Sequence, residues 1–443
     1  MNRFYDPLLS TISEGIKEEE FVIATYLIGA NPTADISKKI AAIALQQSTG
    51  TWIDVPEETD EIRKKHAAKV IGIYSIPDYE LSTYVPDDID LRHYVVRIAF
   101  PWVNFGKNIP LMLATIAGSL TSFPNLKLID VDFPKSFTSL FKGPKFGIDG
   151  FRKILNVYDR PFLNNTPKPC TGFPPEIGAK LVYEVAAGGV DWVKDDEVIS
   201  GSTSFCSLEE RVKQYTQAAK RAFEISGENT IYAVNISDMP SKLKENAKIA
   251  IESGAGALMI TAFTQGLGSL VELAEDPDIN IPILCHTAHM GSISAAPFTG
   301  ISSPVLAKFA RLAGADIFLS YTPSAKFNSL KEKFIRIYQV CLSEFYDIKK
   351  VMPMTGGGVN PGRVESLIND FGVDMTFGVG GAIHAHPMGP RAGARAMRQA
   401  ISAALNGMPI EEAANQYEEL RVAVEAWGIY GKEDQSKLFS AVG

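Results

Sequence analysis

Apolar and polar positions change rhythm along this chain. In the first third the pattern is mixed. Residues 20–27 (EFVIATYL) form a β-branched and aromatic run that predicts a strand, and 35–47 repeat their apolar positions at helical spacing. Residues 93–100 (HYVVRIAF) and 126–133 predict further strands, and 109–118 a helix. Strands and helices without regular alternation imply an α+β domain over 1–141, and the Gly- and Pro-rich stretch 141–150 (FKGPKFGIDG) marks its boundary. From about residue 160, short apolar runs alternate with longer amphipathic stretches. Strands are predicted near 160–168, 189–196, 230–236, 257–263, 282–288, 316–321, 350–355 and 375–381, each followed by a helical pattern. Eight such units predict a (β/α)8 barrel over 142–443, with its active site at the carboxyl ends of the strands. The helical pattern at 410–427 reads as an extension packed on the barrel.

The strand ends carry the polar chemistry. Residues 188–197 (GGVDWVKDDE) pass from an apolar run into one lysine and three carboxylates. Alternation in an extended strand turns Lys194 and Asp196 to the same side, with Glu197 where the strand gives way to a loop. Two carboxylates from one short segment suit Mg²⁺, which takes oxygen ligands. A lysine fits beside a cation only if it forms an ion pair, deprotonates to act as a base, or reacts with CO2 to become a carbamate. A solvated charge run at a strand end accounts for the same four residues equally well. Lys168 stands between two prolines after the first strand, Asn235 ends the third, and Lys326 follows the sixth with Lys331 and Lys333 nearby. Four of the six histidines (His286, His289, His384, His386) follow strands five and eight. Gly356, Gly357 and Gly358 after strand seven, and Gly380 and Gly381 after strand eight, let backbone N–H groups approach an anion, although any tight turn also uses glycine.

Composition narrows the partners. A net charge of −8 provides no basic field, so neither nucleic acid nor an anionic membrane is an expected partner, and an anionic substrate must be held by local groups. The four cysteines lack CxxC spacing, which argues against zinc and against a disulfide framework. The amino terminus lacks a signal-peptide core, and no run approaches the ~20 apolar residues of a membrane span. A cytoplasmic protein is expected.

The segment GGVDWVKDDE resembles the metal-binding strand of the ribulose-bisphosphate carboxylase (RuBisCO) superfamily, and further motifs follow in the same order over nearly the whole chain. The resemblance implies a RuBisCO large-subunit fold and a Mg²⁺ ion held by Asp196, Glu197 and a CO2-derived carbamate on Lys194. It implies Lys168 as the catalytic lysine that carries a proton to or from an enediolate, and Asn235 near the metal. His286 is implied in hydrogen bonding to substrate hydroxyls or in proton shuttling, and Lys326 in stabilising a carboxylate from a mobile loop. One phosphate is implied at Gly356, Gly357, Gly358, Gly380 and Gly381. Residues 48–52 (STGTW) match a motif that reaches over a partner's barrel, where Thr51 binds this phosphate, which implies a homodimer with shared active sites. His386 is read as structural.

The departures from the carboxylase pattern are as informative. Thr287 and Leu319 replace an arginine and a histidine that grip the second phosphate, so a bisphosphate is expected to bind poorly. Cys170 replaces a second lysine, Gln46 a glutamate and Leu111 an asparagine. The combination is similar to the RuBisCO-like proteins: Mg²⁺-dependent lyases or isomerases that act through a metal-bound enediolate on a singly phosphorylated keto sugar or keto acid. Within these, the retained lysines resemble the 3-oxo-isoapionate-4-phosphate decarboxylases (transcarboxylase/hydrolases). There Lys168 or His286 would reprotonate the enediolate left by decarboxylation, and Lys326 would hold the departing carboxylate. The alternative is the 2,3-diketo-5-methylthiopentyl-1-phosphate enolase of methionine salvage. That branch shares segments such as GPKFGIDGFRKIL, but it uses a lysine where this chain has Ser119 and lacks the strand-one lysine. A non-catalytic protein on a decayed scaffold is a third reading, opposed by the survival of all three ligand positions together with the phosphate loops.

Overall fold

Five strands build the first sheet. β1 (Phe21–Ala30), β2 (Lys69–Ile76), β3 (Arg92–Pro101) and β4 (Leu126–Asp132) pair antiparallel in the order β4-β1-β3-β2. β1 lies centrally, and Val22, Ala24, Tyr26 and Ile28 along it are all buried. The helix Ile36–Gln46 begins where the Asp35 side chain accepts from Lys38 N at 3.0 Å, and it buries Ile40, Ile43 and Ala44. The barrel strands are β5 (Phe162–Asn165), β6 (Trp192–Lys194), β7 (Ile231–Asn235), β8 (Ala257–Ile260) and β9 (Ile283–Cys285). After the two-residue β10 (Gly300–Ile301) come β11 (Ile317–Tyr321), β12 (Met352–Gly356) and β13 (Thr376–Val379). The computed structural model describes residues 6–50, 55–323, 325–327 and 329–431.

The eight strands other than β1–β4 and β10 close into a barrel of parallel neighbours, in the order β11-β12-β13-β5-β6-β7-β8-β9. The fold is therefore an eight-stranded α/β barrel preceded by a domain built on a mixed sheet. All eight predicted barrel strands are present, several of them shorter than predicted. The chain packs as two compact units, Met1–Lys142 with His289–Leu312 and Gly143–Ala288 with Ala313–Gly443. Residues 289–312, which the sequence pattern assigns to the barrel, thus pack in the first unit, where β10 adds a parallel strand beside β4.

Period-two alternation fills the barrel. Phe162, Trp192, Ala233, Ala257, Met259, Leu284, Ile317, Leu319, Met352 and Met354 point inward and cluster with Ile148, Phe151 and Leu155 of the helix Gly147–Leu155. Phe151 meets Phe162 and Trp192 edge-on, at ring separations of 5.1 and 5.5 Å. This helix closes the end of the barrel opposite the strand carboxyl termini. Its start is fixed by Asp316, whose Oδ1 accepts from Phe146 N and Gly147 N at 2.7 and 2.8 Å, while its Oδ2 accepts from Ile283 N at 2.9 Å. Gly147 has φ +61°, and a Cβ there would stand 2.5 Å from the Lys350 carbonyl oxygen, so a side chain does not fit.

Four elements differ from the sequence expectation. β2 and the helix Asp60–His66 were not anticipated: a register shift between Val70 and Gly72 interrupts the alternation of the strand, and the seven-residue helix buries nothing. The helix predicted over 109–118 is α-helical only over Ile109–Leu113 and widens into a π-helix at Ala114–Gly118. The pattern at 410–427 resolves into two helices, Ile410–Ala414 and Glu418–Trp427. Among the described residues no helix is long and apolar enough to cross a membrane.

Candidate active site

The inward rows that pack the barrel continue past the strand ends as polar residues. Trp192 is followed two positions on by Lys194 and then Asp196, Leu284 by His286, and Met354 by Gly356. These continuations line a cavity of about 540 Å³ together with Thr166, Lys168 and Glu197. Asp195, of opposite parity, does not line it. Alternation alone therefore sorts the KDDE run, with Lys194 and Asp196 facing the cavity and Asp195 facing away.

Lys194 is buried at 3% exposure, and its Nζ donates to the Asp195 carbonyl at 2.9 Å. Burial pulls its pKa below the usual lysine value, against the attraction of Asp196 and Glu197. The two adjacent carboxylates are pushed in opposite directions. Burial works against ionisation of Asp196, but hydrogen bonds from Glu197 and Lys168 hold it well below the carboxylate range. Burial and the neighbouring Asp196 push Glu197 up. Among the described residues no three His, Cys, Asp or Glu side chains are grouped to hold a metal. Two carboxylates are present, and the third donor on offer is Lys194. Burial favours the neutral form of the Lys194 amine, the species that condenses with CO2, so the three residues fit a carbamate–Mg²⁺ centre.

His286 Nδ1 accepts from Ala288 N at 3.1 Å, which leaves the proton on Nε2, 3.3 Å from Glu197 Oε2. Burial first, then the charge of Lys194, pulls its pKa to about 3, so the ring is neutral. Lys168 Nζ donates to Asp196 Oδ2 and to Cys170 Sγ, both at 2.7 Å. Burial lowers its pKa, but the hydrogen bonds and charges of Asp196 and Cys170 together raise it, and the ammonium is favoured. Gly356, Gly357, Gly358, Gly380 and Gly381 all line the cavity. A Cβ at Gly380 would stand 2.7 Å from Lys168 Cε, so glycine there leaves room for the lysine stem. Lys326 also lines the cavity, with its ammonium 5.4 Å from the centroid of the Phe327 ring.

Asn235 is not among the residues lining this cavity. Fully buried, it donates from Nδ2 to the Ile199 carbonyl at 2.8 Å and accepts from Ser237 N at 3.0 Å, tying down the loop that follows the carboxylates. Thr51 lies outside the described residues. His386 accepts from Met388 N and contacts the Glu419 carbonyl at 2.9 Å, a packing role, and His384 sits 3.0 Å from Asn165 Oδ1.

Burial, then the charge of Lys168, lowers the His384 pKa from 6.5 to about 4. Between those values the unfolded chain binds a proton that the folded chain does not. Stability from neutral His384 is thus full above pH 6.5 and is lost as pH falls towards 4. We expect His384→Gln to flatten the fall in Tm on acidification across this window, which thermal melts at a series of pH values would check.

Several lining residues were not singled out from the sequence. Tyr321 and Phe327 pack at 4.4 Å, and with Leu319 and Met354 they make an apolar wall. Trp427 enters from the helix Glu418–Trp427, and Asn360 presents a buried Oδ1 with no hydrogen-bond partner among the described residues. Tyr321, Phe327 and Asn360 were signalled only by lying at or beyond a strand end, and Trp427, at the end of a helix, carried no such signal. The network behind the site was also missed. Arg211 Nη2 meets Asp195 Oδ2 at 3.0 Å, the Tyr232 hydroxyl donates to Asp195 Oδ1, and Asn235 N donates to Asp195 Oδ2 at 2.9 Å.

A closed parallel barrel whose inward rows end in lysine, carboxylate and glycine at one mouth defines a (β/α)8 protein of the RuBisCO large-subunit fold. Residues 13–137 match the family described as ribulose bisphosphate carboxylase large chain, N-terminal domain, and residues 147–427 match the catalytic domain. The chain belongs to the ribulose bisphosphate carboxylase large-chain family, and its homologues include RuBisCO-like proteins. It is 47% identical over 398 residues to a ribulose bisphosphate carboxylase-like protein of Archaeoglobus fulgidus, covering 89% of this chain and 90% of that one. It is 37% identical over 408 residues to a 2,3-diketo-5-methylthiopentyl-1-phosphate enolase of Geobacillus thermodenitrificans, covering 92% and 98%. A solved rubisco-like protein (MtnW) from Alicyclobacillus acidocaldarius superposes with a TM-score of 0.85 at 34% identity, covering 93% of this chain and 100% of that one. A dimeric archaeal Rubisco from Hyperthermus butylicus does so with 0.84 at 30% identity, covering 95% and 99%.

Proposed function

We propose that this chain is a Mg²⁺-dependent enzyme that forms and quenches an enediolate on a singly phosphorylated keto sugar or keto acid. The observation that carries this reading is the composition of the cavity. A proton-bearing Lys168 is ion-paired to Asp196 at 2.7 Å on one side, glycine loops lie at the ends of β12 and β13, and Leu319 and Met354 contribute an apolar wall. Glycine N–H groups bind one phosphate. The apolar wall leaves a second phosphate without a partner, in keeping with Thr287 and Leu319 at positions where carboxylases carry cationic or hydrogen-bonding groups.

Lys194 as carbamate, Asp196 and Glu197 would hold the metal, which when bound polarises the substrate carbonyl as a Lewis acid. Lys168 delivers or removes the proton α to that carbonyl. Neutral His286, with its proton on Nε2, hydrogen-bonds a substrate oxygen. We favour decarboxylation of a β-keto acid phosphate of the 3-oxo-isoapionate-4-phosphate type, in which Lys326 holds the departing carboxylate. Asn360 Oδ1, which has no partner among the described residues, supports a hydroxylated substrate, since a hydroxyl would supply a donor to it. The apolar wall, and a relative named as an enolase, favour enolisation of 2,3-diketo-5-methylthiopentyl-1-phosphate as the second reading.

The test is turnover of each phosphate ester by wild type and by Lys168→Met. The variant is expected to lose about 10²–10⁴-fold in kcat, the usual contribution of a positioned acid or base, with little change in substrate Kd. Wild-type turnover retained in the variant would remove Lys168 from the mechanism. We also propose a cytoplasmic homodimer with shared sites, supported by the STGTW motif and by the dimeric relative. Light scattering is expected to give twice the chain mass.

A further inference from the structure

Cys206, Cys285 and Cys341 are buried, and Cys170 alone of the four cysteines is half-buried. Its Sγ lies 2.7 Å from Lys168 Nζ. That separation is at the short end for an N–H donor on an oxygen acceptor. Sulfur is the larger atom, so the pair is closer than an ammonium–thiol hydrogen bond requires. Lys168 is confined from two further directions. Asp196 Oδ2 accepts from the same nitrogen at 2.7 Å, and Lys168 Cε fills the space in which a Cβ of residue 380 would sit, 2.7 Å away. The amine and the thiol are therefore held at a separation that one bridging atom spans.

We infer that Lys168 and Cys170 form a reversible covalent crosslink, Nζ–O–Sγ, when the protein meets dioxygen. The ammonium first gives one proton to solvent. One N–H bond, the S–H bond and the O–O bond break, while an N–O and an O–S bond form. Nitrogen and sulfur each give up two electrons, dioxygen accepts four, and its second oxygen leaves as water carrying both hydrogens. Two equivalents of a dithiol return four electrons and four protons and restore amine, thiol and water.

The consequence for activity rests on the proposed role of Lys168. Crosslinked, its nitrogen is neither a cation for Asp196 nor a proton carrier, and turnover stops until reductant is supplied. The chemistry itself is read without turnover. Mass spectrometry of the full chain after incubation in air-saturated buffer is expected to show a gain of one oxygen less two hydrogens, on a peptide that contains both residues. Dithiothreitol should reverse it, and Cys170→Ser and Lys168→Met should each lack it. An unchanged mass would overturn the crosslink. So would a gain of one or two whole oxygens confined to Cys170 with Lys168 unmodified, or a loss of two hydrogens with no oxygen gained. A crosslink with the expected mass in a protein whose turnover is unaffected would establish the modification and count against Lys168 as the proton carrier.

Discussion

Lys194→Met is expected to abolish bicarbonate-dependent Mg²⁺ binding and to lower turnover by at least about 10⁴-fold, the several kcal/mol that a bound metal contributes to charge stabilisation. The same substitution should leave Tm unchanged or raise it. Lys194 is buried, its ammonium donates to a main-chain carbonyl, and burial already pulls its pKa down. Methionine has nearly the same length and keeps the packing without an ammionium-forming group to desolvate. A structural lysine would behave in the opposite way, with stability falling and Mg²⁺ binding unaffected. Isothermal titration of Mg²⁺ with and without bicarbonate, beside a thermal melt, separates the two.

Asp195→Ala is expected to destabilise the fold by about 3–5 kcal/mol, the cost of leaving one member of a buried pair without its countercharge. Arg211 has a fully buried side chain, and Asp195 is its anionic partner at 3.0 Å. The same carboxylate takes the Tyr232 hydroxyl and Asn235 N, so its loss also strips partners from a tyrosine and from a main-chain donor. Asp195 separates Lys194 from Asp196, and both of those should shift with it, so Mg²⁺ affinity should fall although Asp195 does not line the cavity. Denaturant unfolding measures the first effect. The double variant Asp195→Ala/Arg211→Met should be less destabilised than the sum of the single variants, because no charge is then left buried alone.

The barrel was legible because a parallel sheet buried on both faces writes short apolar runs into the sequence. The lysine–carboxylate run was legible because four charges directly after such a run are rare. Asp195 was the residue least open to interpretation from sequence. It carries the same side chain as Asp196, and only its parity within the strand assigns it to Arg211 rather than to the cavity. Asn235 shows the converse. It sits on an inward row and at a strand end, yet its amide is spent on Ile199 and Ser237, a choice made by a loop whose path the local pattern does not encode. Tyr321 with Phe327, Asn360 and Trp427 come from three separate segments and converge only in the folded barrel. β2 stayed hidden because its irregular register at Gly72 breaks the alternation that would have revealed it.

The most direct test of the central claim is ¹³C NMR of the protein with Mg²⁺ and bicarbonate, offered a carboxyl-labelled, singly phosphorylated 3-keto aldonate. Release of the label as CO2, dependent on both Mg²⁺ and bicarbonate and absent in Lys194→Met, is the predicted result. Retention of the label, with the substrate unchanged at the α position, would contradict it.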